Sequence, residues 1–183
     1  MNRFPSERDT LRSKFPKMRE EPTDQRLGLP QPPLQKAYAP DALLIDLPSP
    51  REVALGPTDL FELIERRQSR REYSDKPITL QELSFLLWAT QGVKRIVRDG
   101  FATLRTVPSG GSRHAFETYL AVNRVVGLEP GIYRYLALEH KLIHVSSPPD
   151  LPAKVGKACF GQDFAGTAAA VFFWSCIPYR CEW

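Results

Sequence analysis

The densest group of side chains able to do chemistry is the run Arg66-Arg-Gln-Ser-Arg-Arg-Glu-Tyr73. In an extended conformation Arg67, Ser69 and Arg71 project to one side, because side chains alternate along a strand. In a helix Arg67 and Arg71 lie four residues apart and again share a face. Either geometry lets two guanidinium groups and a hydroxyl converge on one small anion. The planar guanidinium fork matches phosphate geometry, and charge-assisted bonds are about twice as strong as neutral ones. The same residues also read as a solvated basic helix end, favoured there by the macrodipole. Residue types alone leave both readings open.

A second segment, Val107-Pro-Ser-Gly-Gly-Ser-Arg-His114, reads as a turn into a short helix with Ser109 or Ser112 as cap. A Gly-Gly pair also lets backbone approach a planar ligand closely, since no Cβ intervenes. No Ser/His/Asp arrangement for nucleophilic catalysis is visible. His114, His140 and His144 lack metal-ligand spacing, and His140 and His144 read as satisfied or exposed imidazoles flanking a strand. Cys159, Cys176 and Cys181 are an odd count with no CxxC pair, so neither a disulfide framework nor a zinc site is indicated. They read as buried or partly buried thiols in a reducing compartment.

The elements that must position these groups are legible in part. Thr58 or Asp59 can cap a helix carrying Leu60, Phe61, Leu63 and Ile64 on one face. Thr79 with Glu82 three residues on forms a capping box for a second helix, whose apolar side is Leu83, Leu86, Leu87 and Trp88 and whose natural stop is Gly92. Trp88 reads as core. Residues 94–106 read as a basic loop. Strands are expected over 118–123, 131–135 and 141–145, with Tyr133 and Tyr135 on one face. A helix opened by Pro152 is expected over 155–160, and the apolar run 168–175 suits a strand buried on both faces. Mixed helices and strands point to an α+β fold.

The remainder of the chain sets bounds. With 183 residues it has room for one domain. Residues 1–56 read as an extended Pro-rich leader lying across a core, because Leu43, Leu44, Ile45 and Leu47 want burial while the prolines interrupt regular structure. Residues 57–183 read as the domain proper. A net charge of +4 is mild and suits one anionic ligand as well as a polyanion. Arg66, Arg67, Arg70, Arg71, Arg95 and Arg98 could neutralise a nucleic-acid backbone with steep salt dependence. No aromatic platform is interleaved with them, so a nucleic-acid partner is not expected. The most apolar run, 165–178, is shorter than the roughly 20 residues of a bilayer span. The N-terminus lacks a signal-peptide stretch, so the expectation is a cytoplasmic protein without a membrane partner.

The pattern Ile64-x-x-Arg67-x-Ser69-x-Arg71-x-Tyr73 resembles the phosphate motif near the start of FMN-binding nitroreductase-family domains. The segment from Val107 to His114 is similar to that family's second flavin-contacting loop. Glu117-Thr-Tyr-Leu-Ala-Val-Asn, followed by Gly127-Leu-Glu-Pro-Gly-Ile-Tyr-Arg-Tyr, looks like its SagB-type branch, as does Leu43-Leu-Ile-Asp-Leu-Pro. That branch includes azoline dehydrogenases, which are thought to use an adjacent Lys-Tyr pair that this sequence lacks. The resemblance implies a nitroreductase-like fold, a mixed or antiparallel sheet flanked by helices. It implies FMN as cofactor, NADH or NADPH as candidate donor, and two-electron transfer on a small-molecule or peptide substrate. Arg67, Ser69 and Arg71 would bind the flavin phosphate and ribityl chain, and Gln68 the ring or ribityl hydroxyls. Pro108, Ser109 and Gly110 would line the isoalloxazine, with His114 beside them as a candidate contact. Homodimers with FMN at the subunit interface are implied as well. Family members continue past the position of Trp183 into a long helix and a final arm, so a domain incomplete at its C-terminus is expected.

Overall fold

The computed structural model describes residues 22–56 and 59–183. Its centre is a five-stranded sheet in which every pairing is antiparallel. The strands are β1 (Leu44–Asp46), β4 (Phe116–Val122), β5 (Gly131–Leu136), β6 (Lys141–Ser146) and β7 (Ala170–Cys176), in the order β1-β6-β5-β4-β7. Separate from it is a hairpin of β2 (Val93–Val97) and β3 (Ala102–Arg105). The helices are α1 (Leu60–Arg66), α2 (Leu80–Gln91), α3 (Leu151–Ala158), α4 (Asp163–Thr167) and α5 (Tyr179–Glu182).

Alternation along the central strands divides the core between the two sheet faces. On β4, Leu120 and Val122 join Leu83 and Leu87 of α2, with Tyr133 and Tyr135 of β5 and Leu142 of β6. Ala121, pointing the other way, meets Leu151 and Val155 of α3. The sheet is thus sandwiched between α2 and the α3–α4 pair. Helix α2 begins as its sequence dictates: Glu82 N donates to Thr79 Oγ1 at 3.1 Å, and Thr79 N donates to Glu82 Oε2 at 2.7 Å. It ends at Gly92, whose N–H donates to the Trp88 carbonyl at 2.8 Å.

Several expectations need correction. The stretch read as a basic loop contains the β2–β3 hairpin, turned by Asp99 and Gly100, which both adopt positive φ (51° and 90°). Asp-Gly supplies the left-handed pair that a tight hairpin turn demands. Helix α3 starts four residues before the expected position, with Pro152 in its first turn. Strand β7 pairs with β4 alone, so it is an edge strand, half-buried over Ala170–Phe173 and exposed beyond. On α2, Leu83 and Leu87 are fully buried, Trp88 is half-buried and Leu86 is exposed. Asp59 Oδ1 caps α1 by accepting from the backbone of Phe61 and Glu62, and Thr58 lies outside the described residues. The apolar side chains of α1 stand in solvent: Leu60, Phe61, Leu63 and Ile64 are all more than half exposed. Cys176 and Cys181 are exposed as well, and Cys159 is partly buried.

The described part of the leader, 22–56, lies along the domain and is held by polar contacts. Arg180 Nε donates to Pro33 O, Arg105 to Leu34 O and Arg134 to Ala37 O, while Lys36 N donates to Glu117. Ile45 and Leu47 pack on the core, whereas Leu43 is exposed. No helix among the described residues is long and apolar enough to cross a membrane.

Candidate functional site

The arginine run takes the non-helical of its two available conformations. Helix α1 stops at Arg66; Arg67 turns out of it with φ −63° and ψ 120°, and residues 67–74 form neither helix nor strand. Arg67, Gln68, Ser69 and Arg71 are all exposed. Among the described residues, none of their side chains is hydrogen-bonded or ion-paired to protein. The Arg71 guanidinium lies over the Phe164 ring of α4, 5.9 Å from its centroid. The end of the run is fastened to the sheet, because Arg124 Nη2 donates to Ser74 O at 3.1 Å. Two guanidinium groups and a hydroxyl on an exposed run, with no hydrogen-bond or ion-pair partner among the described residues, are a donor set of the kind that can receive a phosphate.

The second segment is a tight loop rather than a capped helix. Gly110–Ser112 is one 3-10 turn in which Gly111 takes φ 60°, a conformation that suits glycine. Neither Ser109 nor Ser112 caps it. The Ser109 hydroxyl instead accepts from His114 N at 2.9 Å, closing the loop on itself. Pro108 and Ser109 line a cavity of about 170 Å³ with Gln91, His114 and Cys181. Gly110 lies on a neighbouring cleft beside Arg113, whose guanidinium sits 4.5 Å from the Phe101 ring centroid and 5.3 Å from that of Trp183. No residue of the arginine run lines the cavity at Pro108 or this cleft. The two segments therefore share neither of these cavities.

Behind the loop lies a buried polar layer that no local pattern announces. His114 is only 6% exposed, and its Nε2 lies 3.1 Å from Thr103 O. A carbonyl can only accept, so Nε2 carries the proton and donates. Burial, reinforced by the Arg105 charge, pushes the imidazole down to about 4, so it is neutral near pH 7. Arg105 bonds Thr103 Oγ1 and Gln91 Oε1, and Arg180 Nη1 reaches His114 O at 3.3 Å.

His140 is satisfied in the core. Its Nδ1 lies 2.8 Å from the Tyr135 hydroxyl and its Nε2 2.8 Å from Ser84 Oγ, which donates to Pro48 O at 2.6 Å. Burial lowers the His140 pKa, which keeps the ring neutral. Ser84 has no exposure, so this Ser–His–Tyr chain fastens the leader at Pro48 rather than meeting a substrate. His144 bonds the Ser147 hydroxyl at 2.9 Å and packs edge-on to Tyr133. Among the described residues, no three His, Cys, Asp or Glu side chains are grouped to hold a metal ion.

The nitroreductase family model matches residues 64–180, a stretch that begins just before the arginine run and contains the Pro108 loop and strands β2 to β7. A candidate nitroreductase of Methanocaldococcus jannaschii is 37% identical over 105 residues, which are 57% of this chain and 48% of that protein. The chain thus spans about half the length of that curated relative. Among solved structures, a candidate nitroreductase from Anabaena variabilis superposes with a TM-score of 0.60 at 28% identity, covering 75% of this chain and 28% of the other. One from Ralstonia eutropha gives a TM-score of 0.57 at 28% identity, covering 84% of this chain and 68% of its own. A match over well more than half of the sequence, joined by two solved structures of the same architecture, settles the family: the chain belongs to the nitroreductase family.

Proposed function

We propose that this chain is the flavin-binding part of an FMN-dependent oxidoreductase of the SagB-type branch. It would transfer two electrons to or from an unidentified organic or peptide substrate. One observation carries the reading. Within a nitroreductase-family chain, Arg67, Ser69 and Arg71 stand exposed on a non-helical run, their side chains without hydrogen-bond or ion-pair partners among the described residues. FMN, when bound, supplies hydride transfer at its ring nitrogen. The residues supply binding and orientation. Arg67 and Arg71 hold the phosphate, Ser69 the phosphate and ribityl chain, and Gln68 the ribityl or ring edge. Pro108, Ser109 and Gly110 line the ring, where the glycines admit close backbone approach.

The reading extends to NADH or NADPH as electron donor, a homodimeric assembly and a cytoplasmic location without nucleic-acid or membrane partners. Residues 57–183 act as the domain, with 1–56 as its leader.

The test is the absorbance spectrum of the purified chain together with mass spectrometry of any cofactor released on denaturation. Stoichiometric FMN that bleaches under NADH or NADPH supports turnover. Colourless protein that fails to take up added FMN overturns the reading. A second reading, a flavin-binding or partner-complemented module without independent turnover, draws on one observation: the cavity at Pro108 and Ser109 is lined by no residue of the arginine run. It expects flavin or partner binding without reduction by nicotinamide nucleotides.

A further inference from the structure

The arginine run must hold three donors in register, yet residues 67–74 make no helix or strand ladder of their own. An unsupported extended segment of that length spans up to roughly 26–29 Å and samples many shapes. Its register therefore depends on contacts supplied by other elements, and three are present. Arg124, just past β4, donates from Nη2 to Ser74 O at 3.1 Å and to Thr167 O at 2.7 Å. The backbone pair of Ile78 with Val125 secures the same junction, with Ile78 N donating to Arg124 O at 3.2 Å. Nearer the donors, Phe164 supports the Arg71 guanidinium.

These contacts form one unit. Phe164 belongs to α4, and the last residue of that helix is Thr167, whose carbonyl Arg124 holds. Asn123, beside Arg124, binds the neighbouring carbonyls of Gly166 and Ala168, both at 2.9 Å. The two Arg124 contacts are kept although its Nε is buried without a partner among the described residues.

We infer that Arg124 and Phe164 are positioning residues of the anion site, holding the run so that Arg67, Ser69 and Arg71 meet one phosphate. This rests on the flavin-phosphate reading above and extends it to two residues outside every motif. Held in place beforehand, the donors lose less freedom when the phosphate arrives, and affinity gains accordingly.

FMN and riboflavin share the ring and ribityl chain and differ in the phosphate, so the pair isolates the effect. Both are titrated by fluorescence into the wild-type chain and into Arg124→Gln, Phe164→Leu and Arg71→Ala, with circular dichroism reporting the fold. Arg124→Gln and Phe164→Leu each weaken FMN about tenfold and leave riboflavin within about twofold. If Arg124→Gln does not fold, Phe164→Leu carries the test alone. Equal loss of both ligands indicates general structural damage and overturns the positioning role, as does unchanged FMN affinity. A wild-type chain that binds FMN no better than riboflavin overturns the phosphate reading and this inference together. A wild-type preference abolished by Arg71→Ala but retained by Arg124→Gln and Phe164→Leu overturns the inference only.

Discussion

Arg180 Nη2 and Glu117 Oε1 meet at 2.6 Å with side chains only 4% and 6% exposed. From that buried pair Arg180 also reaches Pro33 O and His114 O, while Glu117 accepts from Lys36 N. One ion pair therefore joins α5, the start of β4, the Pro108 loop and the leader. Two desolvated charges are tolerable only because each satisfies the other and its neighbours.

Removing one partner strands the other charge in a dry site. Glu117→Gln is expected to lower unfolding free energy by about 3–5 kcal/mol, read from the urea midpoint. The double variant Glu117→Gln/Arg180→Met is expected to lose clearly less than the sum of the two single changes. Additive losses would mean that the pair is not coupled.

The two arginines of the exposed run are expected to matter for ligand and little for fold. On the proposed flavin-phosphate reading, Arg67→Ala and Arg71→Ala should each remove a charge-assisted phosphate contact worth about 1.5–3 kcal/mol, roughly ten- to a hundredfold in FMN affinity. Both side chains are exposed, so thermal stability should hardly change. Full flavin content in both variants would sink the assignment of the motif.

What the sequence discloses about this molecule follows the range of the interactions involved. The capping box at Thr79 and the alternation of Tyr133 and Tyr135 are local, and the structure realises both. Asp99–Gly100 is a local signal too, masked in reading by the charges around it. The apolar run that became β7 shows a wish for burial but cannot say how many strands flank it. Arg105, Glu117, Arg134 and Arg180 carry no local mark, since Arg180 and Glu117 lie 63 residues apart and are joined only by the fold. For the candidate site, residue types and motifs point to the arginine run and the Pro108 loop. The supports, Arg124 and Phe164, emerge only from tertiary contacts.

His114 gives stability a dependence on mildly acidic pH. Its folded value is depressed from 6.5 to about 4, chiefly by burial, so the unfolded chain binds the extra proton first. The stabilisation is fully present above about pH 6.5 and is lost as pH falls from there toward 4. Its size is about 3 kcal/mol. His114→Gln can still donate to Thr103 O but does not titrate, so its urea midpoint should fall less steeply over that window. An identical pH profile in the variant would assign the acid sensitivity to other groups, His140 first among them because its value is also lowered by burial.

Gly92 offers a case where the usual benefit of replacing glycine should reverse. Its φ of −61° is open to alanine, and at such sites the substitution commonly stabilises by about 0.4–1 kcal/mol through the unfolded chain. Here an added Cβ would stand 2.6 Å from the Trp88 carbonyl oxygen and press on the Trp88 ring. That oxygen already accepts from Gly92 N at 2.8 Å and from Thr106 Oγ1 at 2.7 Å, so it cannot retreat without loosening the join between α2 and the β2–β3 hairpin. Overpacking of this kind costs about 1–3 kcal/mol, which outweighs the entropic gain. Gly92→Ala should therefore lower Tm, and the environment of Trp88 should shift in its fluorescence spectrum. A raised Tm with unchanged Trp88 emission would show that the helix end relaxes freely and that close approach is not what requires glycine there.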